Sequence, residues 1–231
     1  MRKHILQQLS LPAMVIAVAL FGAVYPAFGA SESEQLVEKA EVTFKTFQHD
    51  PQMSWIREHI RNAKAVMIAP EVRRAGLVVG GSGGRAVLLA RNPATGTWSG
   101  PAFYTLATAS VGLQAGIDKS ETVMLVMTDK GLNSLLSTQL KLGADVSIAA
   151  GPVGKGGERS LTTDVVAFSR AKGIYGGINL DGTVVNPNLE WNNRYYDQTR
   201  TVMPSDILVR HSVTNPKADK LLQQIAQAAT K

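Results

Sequence analysis

The sequence predicts an α+β fold: a curved, glycine-rich, mostly antiparallel sheet, partly closed like a barrel, capped by N-terminal and C-terminal helices. Three observations carry that reading. Between Ala65 and Val185 about nine or ten short apolar runs are divided by Gly, Pro, Asn or Asp, the punctuation of strands in one sheet. Glycines recur within and beside those runs, at Gly112, Gly116, Gly143, Gly151, Gly173, Gly176 and Gly177. They would weaken a flat sheet and suit the kinks and bulges that let one curve. Segments with helical periodicity flank the strands on both sides.

Taken in chain order, residues 34–48 set Leu36, Val37, Ala40, Phe44 and Phe47 on one helical face with Glu and Lys on the other. Residues 52–63 repeat the pattern, with Met53, Ile56 and Ile60 inward and Arg57, Arg61 and the following Lys64 turned away. Strand-like runs come next at 65–69, 76–79, 86–90, 102–109, 111–117 and 122–128. An isolated helix is expected over 130–138 with Leu132, Leu135 and Leu136 facing inward. Strands resume at 144–150, 165–170, 173–180 and 183–185. After a turn at Asp181-Gly182, residues 187–196 read as a short helix and 204–210 as a turn or helix. Residues 217–229 form a terminal amphipathic helix through Leu221, Leu222, Ile225 and Ala229.

Arg2, Lys3 and His4 precede an apolar run from Leu11 to Val24, and Ala27-Phe28-Gly29 offers the small residues a signal peptidase requires. Residues 1–29 are therefore expected to be a secretory signal peptide, and residues 30–231 a single domain. The run is shorter than the roughly 20 residues of a membrane span. Export places the protein in the periplasm, peripherally on a membrane, or outside the cell. Removing the leader takes two of the 24 Lys and Arg and none of the 18 Asp and Glu, leaving a net charge of +4. That modest excess suits an anionic surface or an acidic partner. With no cysteine in the chain, disulfides and thiol chemistry are excluded. No basic stripe interleaved with aromatics points to nucleic acid.

The run Leu77-Val-Val-Gly-Gly-Ser-Gly-Gly-Arg-Ala-Val-Leu-Leu-Ala-Arg91 invites a nucleotide-binding reading that its chemistry refuses. Arg85 and Ala86 stand where a phosphate loop needs its Lys and its Ser or Thr. Val87 to Ala90 read as strand rather than helix, so the glycines are expected to make a tight connection between strands. His49, His59 and His211 are scattered, and without cysteines they make a poor metal site. Ser82 lacks the strand-to-helix elbow of a hydrolase nucleophile. Asp118, Glu121, Asp129, Asp145 and Asp164 lie near strand ends, where any two could pair. A glycosidase, though, would also need a groove lined by aromatics. The chain reads as a non-enzyme without cofactors. A hydrolase would require Ser82 or Ser99 beside His49 or His59.

Several stretches in order resemble one known family. They are Ala63-Lys-Ala-Val-Met-Ile-Ala-Pro70, Ala75 through Arg85, Trp98-Ser-Gly-Pro-Ala-Phe103, Gly112-Leu-Gln-Ala-Gly116 and Leu140 through Gly154. Tyr175 through Gly182 and Asn193-Arg-Tyr-Tyr196 extend the match over nearly all of residues 34–210. Together they look like the SYLF domain, which includes the Ysc84-type actin-patch proteins of fungi and many exported bacterial members. The resemblance implies phospholipid binding, with phosphoinositides preferred in eukaryotic members and actin bound by fungal ones. It also implies a basic amphipathic membrane-binding region near the N-terminal side of the domain.

The expectation is thus an exported bacterial member that binds anionic phospholipids at the envelope surface, actin not being an expected partner there. Its site would be Arg57, Arg61, Lys64, Arg73 and Arg74, with Trp55 and Ile56 as apolar anchors. Each cation near an anionic surface contributes about 1 kcal/mol. The alternative is an envelope protein-interaction or structural module.

Overall fold

The computed structural model describes residues 30–76, 79–111, 116–153, 163–171, 174–176 and 180–230; residues 1–29, with the expected signal peptide, lie outside them. The first helix, α1 (Glu32–His49), begins at Ser31. The Ser31 hydroxyl accepts from the Glu34 amide, and the Glu34 carboxylate accepts from the Ser31 amide, each at 3.3 Å. This reciprocal cap satisfies two amide donors at the helix start. Replacing Ser31 with alanine should cost about 1 kcal/mol. Unchanged thermal unfolding of that variant would show that the cap contributes nothing. The apolar face is the one the periodicity gives, with Leu36, Val37, Ala40, Phe44 and Phe47 all buried. Asp50 ends the helix and accepts from the Gln52 amide at 2.8 Å, turning the chain into α2 (Ser54–His59).

Four long strands come next: β1 (Ala65–Gly76), β2 (Val79–Arg91), β3 (Trp98–Val111) and β4 (Gly116–Val126). They run well beyond the apolar stretches legible in the sequence. Ala65–Ala69, Ala86–Ala90 and Val123–Val126 are buried throughout. Such continuous burial means that both faces of this half of the sheet are covered. The other half is glycine-rich. Gly80 to Gly84 lie within β2, paired to β1 on one side and β3 on the other, so these glycines belong to a strand rather than to a connection. Pro70 offers no N–H to the ladder. The register of β1 with both neighbours shifts around it, between Ile68 and Glu71 against β2 and between Ala69 and Val72 against β4. That is the bulge a central-strand proline requires.

The rest of the chain completes the sheet and covers it. It adds α3 (Asp129–Leu135), β5 (Leu140–Lys141), β6 (Ile148–Ala150), β7 (Val165–Ala171), β8 (Ile174–Gly176) and β9 (Val184–Pro187). Helices α4 (Leu189–Tyr195), α5 (Pro204–Leu208) and α6 (Asp219–Thr230) close the chain. The sheet order is β5-β9-β3-β2-β1-β4-β7-β6, with β8 on β7, and among the described strands only β6 and β7 pair in parallel. The result is a curved, mostly antiparallel half-barrel between N-terminal and C-terminal helices, in the α+β class. Of the expected strand at 144–150 only 148–150 forms, and β5 was not legible in the sequence.

Strand alternation sends adjacent side chains to opposite faces. Phe103 meets Trp191 and Tyr195 of α4 at ring separations of 5.9 and 5.0 Å. Tyr104, its neighbour, donates to the Leu135 carbonyl of α3 at 2.7 Å. Asn192, fully buried, accepts from the Phe103 amide at 2.8 Å and donates to the Val202 carbonyl at 3.3 Å, locking α4 onto β3.

Candidate functional site

The seven residues expected to form a lipid site do not form one cluster. Trp55 and Ile56 are buried, Trp55 stacking on His59 at 3.9 Å and packing on Phe168 at 5.5 Å. Both belong to the core, so neither is available as a surface anchor. Arg57 donates to the Gln48 and Asp50 carbonyls at 3.0 and 2.6 Å, closing the C-terminal end of α1. Arg61 is exposed, and Lys64 pairs with Asp129 at 3.2 Å. Arg73 and Arg74 stand nine and ten residues further along β1, roughly 30 Å from Lys64 at strand rise. Being adjacent in a strand, they also point to opposite faces.

Arg73 instead joins a different group. Glu71 is the register partner of Arg85, and Arg73 is the partner of Lys119, so these four side chains share one face. Glu71 accepts a hydrogen bond from Arg73, which holds its carboxyl below the usual range, with Lys119 assisting at 3.5 Å. Arg85 turns elsewhere and lies over the Trp191 ring, 4.3 Å from its centroid. Above this face runs α1, presenting Glu32, Leu36 and Lys39. Between helix and sheet lies a cleft of about 580 Å³, bounded also by Pro70, Gly83, Gly84 and Leu106. Its local origin is the Pro70 bulge. A Cβ at Gly84 would stand 2.5 Å from the Glu71 carbonyl oxygen, so only glycine allows β1 and β2 to close at that point.

Among the described residues the cleft contains no nucleophile and base in contact. Elsewhere, His49 and His59 hydrogen-bond the Lys45 and Trp55 carbonyls at 2.8 and 2.9 Å through Nδ1. The Ser99 hydroxyl makes its hydrogen bonds, 3.3 and 3.2 Å long, to the Ala90 and Leu208 carbonyls. The carboxylates near strand ends are held by donors: Glu121 by Arg170 and Thr43, Asp145 by the Lys141 amide, and Asp164 by Thr128 and Ser147. Among the described residues no group of His, Asp or Glu could hold a metal, and no helix is long and apolar enough to cross a membrane.

Residues 107–228, which carry β4 through most of α6 and the Trp191 wall of the cleft, match the family model Ysc84, described as Las17-binding protein actin regulator. The chain belongs to the Ysc84 family. Its similarity to named members is broader still. Protein YSC84 of Saccharomyces cerevisiae is 28% identical over 177 residues, 74% of this chain and 37% of the yeast protein. LAS seventeen-binding protein 3 of the same yeast is 29% identical over 149 residues, 62% of this chain and 32% of that protein. SH3 domain-containing YSC84-like protein 1 of Bos taurus is 30% identical over 176 residues, 74% of this chain and 50% of the bovine one. The chain thus spans a third to a half of the length of these Ysc84 relatives.

These matches correct three expectations. The named Ysc84 relatives are from yeast and mammals, which overturns the assignment to a bacterial envelope, with anionic phospholipid binding at that surface as its function. The expected export to periplasm or cell exterior is overturned with it. Setting actin aside as a partner is also overturned, since the Ysc84 family is described as an actin regulator.

Proposed function

We propose that residues 30–231 form one non-catalytic, protein-binding domain of the actin-regulator kind, with actin filaments as its partner. The match of residues 107–228 to the Ysc84 family carries this reading. The geometry supports it. An open cleft flanked by Lys39, Arg73 and Arg85, with an apolar floor and no reacting groups, is suited to holding a partner rather than transforming a substrate.

Co-sedimentation of residues 30–231 with actin filaments tests the proposal. The domain should pellet with filaments at low salt and lose affinity by about ten-fold or more at high salt, as an interface steered by exposed cations does. No pelleting at low salt would overturn it.

A further inference from the structure

We infer that the cleft between α1 and the bulged strands is the docking site for a short acidic and apolar segment of the partner protein, whose carboxylate is captured by Arg85 and Lys39. The partner's identity rests on the proposed actin-binding function; the chemistry of capture rests on the cleft itself.

The charges point to a carboxylate. Arg85 sits in register opposite Glu71, yet Glu71 is engaged by Arg73 and Lys119. Among the described residues, Arg85 and Lys39 have no carboxylate partner. The guanidinium face of Arg85 is used on Trp191, at 4.3 Å, which orients the group and leaves its N–H edge for an acceptor. A planar fork held in this way is matched to a carboxylate. Lys39 faces it from the helix side of the same cleft. Glu32 lies seven residues before Lys39, roughly 10 Å away along the helix. It also lines the cleft, in the first turn of α1, and among the described residues it forms no ion pair with Arg85 or Lys39.

The floor points to a neighbouring apolar side chain. Leu36 lies at its base, 9% exposed, with Pro70 beside it. At about 580 Å³ the cleft falls within the ~300–1,000 Å³ of sites that take small ligands or a few side chains. It is too small for a folded domain. An acidic residue flanked by an apolar one fits both features.

Two measurements test this. In the first, residues 30–231 are titrated with a blocked pentapeptide of alternating leucine and glutamate, and with its leucine and glutamine counterpart, by calorimetry. The glutamate peptide should bind at least about ten-fold more tightly, about 1.4 kcal/mol. Arg85→Gln should abolish the difference and Lys39→Gln reduce it, both variants being exposed-site changes whose folding is checked by thermal melting. Equal affinity of the two peptides, or full discrimination by Arg85→Gln, would overturn the inference.

In the second, domain and actin filaments are treated with a carbodiimide, which condenses a contacting amine and carboxylate, and the products are mapped by mass spectrometry. A Lys39 link to an actin Asp or Glu is expected. Filaments that pellet the domain with no Lys39 link, and that pellet Arg85→Gln equally well, sink the docking site and leave the proposed function standing. Filaments that fail to pellet a domain that discriminates the peptides sink the actin reading and leave the docking site standing.

Discussion

Replacing Asp164 with alanine is expected to lower the unfolding free energy by about 3 kcal/mol and to flatten the protein's acid sensitivity. The carboxylate accepts from the Thr128 hydroxyl at 2.6 Å and from the Ser147 amide and hydroxyl at 2.9 Å each, with Lys130 at 3.5 Å. Its backbone adds a further tie, since the Met127 amide donates to the Asp164 carbonyl at 2.8 Å. Thr128 is also the N-cap of α3, and Ser147 immediately precedes β6. One side chain therefore joins the end of β4, the start of α3 and the parallel pair β6 and β7. Alanine would leave the Ser147 amide without its acceptor, and a hydrogen bond to a charged group contributes roughly 1.5–3 kcal/mol.

The pH dependence has a definite sign. The hydrogen bond from Thr128 first, then that from the Ser147 amide, hold the Asp164 carboxyl at about 2, below its ordinary value of 3.8. A lowered folded value means that the stabilisation is complete above the ordinary range and is lost as the carboxyl protonates in the native state. Wild type should therefore lose stability relative to Asp164→Ala between about pH 4 and pH 2. Urea unfolding of both proteins across that window would measure it. A gap that stays constant from neutral pH to pH 2 would mean that the ionised carboxylate is not its source.

Both helical ends of the fold were legible because their periodicity is simple. Phe44 and Phe47 recur at helical spacing on α1, and Leu221 and Ile225 do so on α6, and each is buried where that rhythm puts it. Strand positions were legible for the same reason, since Ala65–Ala69 and Val165–Phe168 are apolar without interruption. Strand lengths were not. Glycine, serine and arginine at Gly80–Arg85 carry no periodic hydrophobic signal, because this half-exposed stretch of β2 buries no apolar side chains. Nor does sequence alone give the register that sets Arg73 beside Lys119 and Glu71 beside Arg85.

The site was harder to read for a related reason. Basic residues at helical spacing, Arg57, Arg61 and Lys64, look like one cationic face. The fold commits Arg57 to the end of α1 and Lys64 to Asp129, contacts that depend on tertiary geometry. The cleft draws Leu36 and Lys39 from α1, Arg85 from β2 and Trp191 from α4, positions separated by up to 155 residues. In the sequence Arg85 already stood out as the residue occupying a phosphate loop's lysine position. What it does with its charge could be seen only once Trp191 was placed beneath it.

Gly84→Ala is the second substitution expected to act strongly, because it bears on sheet and cleft together. The new methyl would stand 2.5 Å from the Glu71 carbonyl oxygen and 3.2 Å from the Val72 Cα, both backbone atoms of β1 that no side-chain rotation can move aside. The strands must separate at the Pro70 bulge, an overpacking cost of about 3 kcal/mol. For a domain of this size that lowers the melting temperature by about 10 °C. Gly83→Ala is the matched control: one residue earlier on the same strand, its Cβ would meet only the Leu106 carbonyl oxygen at 3.4 Å, ordinary contact. Arg85 follows Gly84 directly, and Glu71 is its register partner, so the same displacement shifts the guanidinium relative to Trp191. Gly84→Ala should therefore also lose discrimination between glutamate and glutamine peptides at temperatures where it is still folded, whereas Gly83→Ala keeps it. If the two variants melt together, close approach of backbones is not the reason for glycine at 84, and the bulge does not set the geometry of the cleft.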